Sequence, residues 1–132
     1  MERIILRRKM LIKALDSLER AIEQIEEVEP HHKYYVALRD SVIKSFEYSM
    51  DTFWKFLKQY IEVKHGLETP ASPKPIFKQC LELNIITPDE HAACLDIVED
   101  RNMTSHTYNE TLAERIAQDV PHFYTVIKTI TD

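Results

Sequence analysis

Only one glycine, Gly66, occurs in 132 residues, and three of the six prolines crowd into Pro70, Pro73 and Pro75. The many tight turns of an all-β chain need residues that reach left-handed backbone, and this chain nearly lacks them. What remains is long uninterrupted stretches of good helix formers, which predicts an all-α fold. The same shortage excludes a Gly-rich phosphate loop or a dinucleotide fingerprint, since both need several glycines where the backbone approaches a phosphate. A chain of this length buries one core without staples, so residues 1–132 read as a single helical domain.

Apolar spacing places the helices. Ile4, Leu11, Leu15, Leu18, Ile22 and Ile25 recur at three, four or seven, which predicts a first helix from Ile4 to Val28. Its charges run against the helix dipole, with Arg3, Arg7, Arg8, Lys9 and Lys13 early and Glu23, Glu26, Glu27 and Glu29 late, so tertiary packing must hold it. After a break at Pro30, His31 and His32, a second helix is expected from about Tyr34 to Val63. Its stripe of Phe46, Met50, Phe53, Trp54, Leu57, Tyr60 and Ile61 reads as core or dimer interface rather than a base-stacking platform. His65 to Pro75 reads as a loop, followed by a short helix ending near Asn84. Thr87-Pro88-Asp89-Glu90 reads as a cap opening a fourth helix that runs to about Met103. A fifth begins near Glu110, and Pro121 should kink it. The expected architecture is an antiparallel up-and-down bundle of four to five helices.

Cys80 and Cys94, fourteen positions apart, form no metal-ligand or redox spacing and read as buried thiols. No metal and no cofactor are expected: Asp119 and His122 have a di-iron-like separation but lack a second set. No apolar run spans a membrane, and the basic start has no secretory core, so the expected location is the cytoplasm. The net charge of −5 argues against broad nucleic-acid binding, which leaves local contacts only. The cluster from Arg3 to Lys13 reads as a solvated face, with a local RNA or partner contact as the alternative.

Chemistry concentrates at residues 100–108, Asp-Arg-Asn-Met-Thr-Ser-His-Thr-Tyr. In a continuous helix Arg101 and His106 would lie about 140° apart, so a break after Thr104 is needed to turn the imidazole back, and His106 is placed in a loop. Histidine moves protons near neutral pH, and an arginine fork stabilises charge on phosphate oxygens. The pair therefore suits cleavage of an RNA phosphodiester by its own 2′-hydroxyl, with Asn102 available to orient the phosphate or the histidine. Taken by itself the spacing also fits an arginine paired with Glu99 or Asp100 beside a capping histidine.

The run Arg101, His106, Tyr108 resembles the Arg-x4-His-x-Tyr signature of HepT-like members of the HEPN superfamily. The aromatic helix from Phe46 to Tyr60, the proline-rich loop and the Glu99-Asp100-Arg101-Asn102 run are similar to those of proteins also called nucleotidyltransferase substrate-binding subunits. The resemblance covers roughly Leu11 to Ile130. It implies a dimeric helical bundle that brings two Arg/His pairs to one cleft and cuts RNA without a metal, as the toxin of a toxin–antitoxin pair. It also implies a cognate minimal nucleotidyltransferase antitoxin that transfers AMP onto Tyr108 and so blocks the cleft. A noncatalytic partner subunit of that nucleotidyltransferase is the alternative. Asp51 and Thr52 stand where relatives often carry Glu and an aliphatic residue, and neither is expected to touch the motif.

Overall fold

A computed structural model describes residues 2–132. Five α-helices and one 3₁₀ turn account for its regular structure among the described residues: α1 (Glu2–Glu26), α2 (Tyr35–His65), α3 (Pro73–Glu82), α4 (Pro88–Met103), the 3₁₀ turn (Thr104–His106) and α5 (Glu110–Thr131). The all-helical antiparallel bundle is as expected.

Of the residues predicted to face inward on α1, Ile4, Leu11, Leu15, Leu18 and Ile22 are buried and Ile25 is half-buried. The helix stops at Glu26, two residues short of Val28. Its unfavourable charge order is offset by its pairing with α2, the most extensive helix contact in the molecule. Ser49 Oγ donates to the Ala14 carbonyl at 3.2 Å across that contact, which satisfies a hydroxyl with no exposure to solvent. Along α2, Phe46, Met50, Phe53, Leu57 and Ile61 are buried, while Trp54 and Tyr60 are half-buried at its margins. Phe46 stacks on Phe123 of α5 and Phe53 packs on Phe77 of α3, each with ring centroids 5.7 Å apart. The aromatic stripe is therefore core.

Gly66 ends α2 at φ +64°, the left-handed residue that closes a helix at least steric cost. The expected loop over His65 to Pro75 is shorter than predicted at both ends. His65 is the last residue of α2, and Pro73 and Pro75 fall in the first turn of α3. Proline loses nothing there, because first-turn N–H groups have no intrahelical partner. The α3 helix closes through Asn84, also left-handed at φ 59°.

Thr87 and Glu90 form a reciprocal capping box: Glu90 N–H donates to Thr87 Oγ1 at 3.1 Å, and Thr87 N–H to Glu90 Oε1 at 2.8 Å. Asn109 Oδ1 accepts from Leu112 N–H at 3.1 Å and opens α5. That helix continues on both sides of Pro121, so the proline does not end it. Cys80 and Cys94 are unpaired and buried, and burial pushes both thiols up to about 12. No described helix is long and apolar enough to cross a membrane.

Candidate active site

The last turn of α4 carries Arg101, and the chain there tightens into the 3₁₀ turn rather than opening into the expected loop, with His106 as its last residue. Thr104 makes the change of direction. Its hydroxyl donates to the Arg101 carbonyl at 2.8 Å and accepts from Arg101 Nη1 at 3.0 Å, so one side chain caps the helix and holds the guanidinium.

Arg101 pairs with neither Glu99 nor Asp100. Glu99 reaches Lys74, and Asp100 accepts from Arg115 Nη2 at 3.1 Å. The guanidinium turns instead onto α2. Nε and Nη2 donate to the two oxygens of Asp51 at 3.3 and 3.1 Å, and Nη1 lies 3.1 Å from Glu47 Oε2. The expectation that Asp51 stays clear of the motif is thus wrong, because positions 47 and 51 are one helical turn apart and both face α4. Thr52 does keep clear: it turns back to the carbonyls of Tyr48 and Ser49 at 3.0 Å.

Of the five guanidinium protons, two go to Asp51 and the two on Nη1 face Glu47 and Thr104, which leaves one outward Nη2 proton. One cation between two carboxylates leaves the cluster with a single negative charge. The hydrogen bond to Asp51, followed by the charges of Asp51 and Glu47, raises the arginine's proton affinity against the opposing effect of burial. The planar fork expected for phosphate is therefore occupied by the chain's own acids.

His106 is exposed, and among the described residues its side chain makes no hydrogen bond or ion pair. Its ring meets Tyr108 edge to face, with centroids 6.1 Å apart at 74°. Tyr108 is 83% exposed. Asn102 is exposed too, and its side chain bonds to neither Arg101 nor His106. In the single chain Arg101 and His106 thus keep separate partners.

A second clamp, which the spacing of the motif does not reveal, holds the far end of this segment. Arg39 of α2, 4% exposed, donates from Nη1 to Glu110 Oε2 at 2.6 Å and lies 3.9 Å from Glu114. Tyr35 hydroxyl donates to the same Glu114. Residues 102–109 are thus tied to α2 at both ends by an arginine–carboxylate pair. A signal is present in the sequence: Arg39, Phe46 and Phe53 recur every seven residues, so a cation stands in the register of the core.

Behind Arg101, Asp100 is buried against Asp119 in a cleft of about 390 Å³ that Arg115 and His122 also line. Burial first, then the hydrogen bond and charge of Asp119, push the Asp100 carboxyl up to about 7, against the pull of Arg115. One Asp100 oxygen has no partner among the described residues, which a proton shared with Asp119 would satisfy. Asp119 and His122 lie together here. Among the described residues no group of three or more His, Cys, Asp or Glu is set to hold a metal ion.

The family described as "Nucleotidyltransferase substrate binding protein like" matches residues 6–132. A crystal structure of a protein from Thermus thermophilus is 34% identical, with a TM-score of 0.70 over 86% of this chain and 94% of its own. The tri-AMPylated Shewanella oneidensis HEPN toxin, solved in complex with MNT antitoxin, shares the fold at 21% identity and a TM-score of 0.69, over 93% of this chain and 94% of that one. So does a mutant of the toxin–antitoxin MntA-HpeT, at 21% identity and a TM-score of 0.70 over 94% and 95%. No curated protein matches the chain.

Proposed function

The chain belongs to the nucleotidyltransferase substrate binding protein like family, and from that premise we propose that it is a HEPN-type endoribonuclease toxin silenced by a minimal nucleotidyltransferase antitoxin. In this reading residues 1–132 form one domain, act in the cytoplasm as a homodimer, and cut RNA without a metal. Two copies bring their Arg101/His106 pairs to a shared cleft. His106 takes the proton of a ribose 2′-hydroxyl as its oxygen attacks the adjacent phosphorus, the bond to the 5′-oxygen breaks as that oxygen takes a proton from water and leaves as a 5′-hydroxyl, and a 2′,3′-cyclic phosphate remains. Arg101 opposes the charge that builds on the phosphate, and Asn102, exposed one residue on, is available to orient it.

The observation that carries the silencing by modification is Tyr108: a phenol 83% exposed, against the ring of His106, two residues past the histidine that would do the chemistry. Its hydroxyl is open to a transferase, and an adenylate placed there sets a phosphate and a nucleoside over the histidine. A HEPN toxin of the same fold is AMPylated and solved with MNT antitoxin, which supports the assignment of modification to this class of protein. Intact-mass measurement of the chain produced with and without a minimal nucleotidyltransferase antitoxin encoded beside it tests the assignment. A gain of one or more adenylates, lost in Tyr108→Phe, is expected; the same gain in that variant would remove the assignment.

One observation favours a second reading, a noncatalytic partner subunit. The Arg101 fork is held by Asp51 and Glu47, and the local charge opposes phosphate. Under that reading the purified chain leaves RNA intact, yet is still modified at Tyr108.

A further inference from the structure

At the other end of α2 lies a cleft of about 650 Å³, within the range of small-molecule sites. It shares no residue with the Arg101 segment. It borders the α3–α4 link at Leu83, Asn84 and Ile85, and Arg101 is about 20 Å further along α4. One wall is a row of rings from the last turns of α2: Phe56 lies 6.3 Å from Tyr60, and Tyr60 6.2 Å from His65. Ile4, Ile85 and Ile130 close the apolar floor.

The polar lining is of one sign with a single exception. Arg8, Lys64 and His65 all face the cleft, and none makes an ion pair among the described residues, whereas Asp132 is its only acid. In a chain of net charge −5, two cations, Arg8 and Lys64, against the one acidic side chain of Asp132 beside an aromatic wall are a local reversal of the overall balance. Arg3, by contrast, acts on Glu62, whose carboxyl it helps to hold below the ordinary range after the hydrogen bonds from Thr69 and Lys58. Asn84, held at φ 59°, also lines the cleft, and its side-chain amide bonds to nothing among the described residues. An amide with both a donor and an acceptor to offer can read the edge of a planar heterocycle.

The geometry points to a second binding site here, for a planar aromatic ring that carries a phosphate. The ring stacks on Tyr60, its edge meets Asn84, and the phosphate sits between Arg8 and Lys64. A nucleoside monophosphate has this chemistry, whether free or as the 5′-phosphorylated end of an RNA. The sequence offers Arg8 only as part of a solvated basic stretch; what singles it out is the meeting of the α1 start with the α2 end.

The test is a titration of the full-length ¹⁵N-labelled chain with AMP, adenosine and inorganic phosphate, read by amide shifts. AMP should saturate with a dissociation constant on the order of 100 μM, and the shifts should map to Tyr60, Lys64 and Leu83–Ile85. Adenosine and phosphate should each bind about tenfold or more weakly. Arg8→Gln and Lys64→Gln, both exposed and removing no ion pair of the fold, should each weaken AMP about tenfold. A 5′-phosphorylated tetranucleotide that binds these amides more tightly than AMP assigns the site to an RNA end; weaker binding assigns it to a free nucleotide. Absence of saturation at about 5 mM AMP, shifts confined to residues 99–109, or equal affinity for phosphate alone would each overturn the proposal.

Discussion

Arg101 shows how far a side chain's chemistry depends on what holds it. With Asp51 neutral the cluster would carry no net charge, and the Nε/Nη2 edge could turn to a phosphate. Asp51→Asn is therefore expected to tighten RNA binding severalfold at low salt. It should cost no more than about 1 kcal/mol of stability, since the pair is partly exposed. A fluorescence-anisotropy titration checks the first and urea unfolding the second; weaker binding would show that Asp51 aims the fork rather than occupying it. Asp100, next along the chain, has a different consequence. Its folded-state affinity for a proton is raised, so the folded form holds that proton where the unfolded chain has lost it. The stability it contributes is fully present below the unfolded carboxylate range and falls as pH rises through about 7. Asn at this position keeps a donor toward Asp119 and an acceptor for Arg115. Relative to the wild type, Asp100→Asn should be nearly neutral near pH 4 and stabilising by on the order of 1–2 kcal/mol at pH 8. Chemical denaturation at the two pH values decides it, and a difference independent of pH would contradict the shared proton.

The helices themselves are largely readable, because each has a local cause. Thr87-Pro88-Asp89-Glu90 announces a capping box, and the structure forms it with both reciprocal bonds, so Thr87→Ala should cost about 1 kcal/mol. Thermal unfolding of that variant against the wild type is a direct check. The proline-rich link departs from expectation for a physical reason: Pro73 and Pro75 would break a helix interior, whereas in a first helical turn they are tolerated. The extra turn this gives α3 seats Ile76 and Phe77 in the core, with Phe77 wholly buried on Phe53. Phe77→Ala should accordingly cost about 3–5 kcal/mol in denaturant unfolding, against near zero for the exposed neighbour Lys78→Ala. The candidate site is legible only in part. Arg101, His106 and Tyr108 stand out by type and spacing, but the partners of Arg101, Glu47 and Asp51, lie 50 or more residues upstream, and Arg39, which holds Glu110, lies further still. Such pairings come from helix packing, and a local pattern cannot disclose them. Arg39 in a core register is the one visible hint.

At the scale of the whole molecule, α2 is the spine. It supplies the core stripe, both clamps on residues 102–109, and the aromatic wall of the distal cleft. An acidic chain with only local basic groups should make few phosphate contacts, so RNA binding ought to depend on salt with a shallow slope, on the order of −2 in log–log terms. The dimer that the ribonuclease reading requires is tested by sedimentation. The central claim, that one arginine and one histidine cleave RNA, is tested most directly by incubating purified chain with labelled RNA in excess chelator and comparing the wild type with Arg101→Ala and His106→Ala. Cleavage by the wild type is expected, with a loss of about 100-fold or more in each variant and the helical spectrum unchanged. Wild-type inactivity, or variants that cut as fast as the wild type, would contradict it.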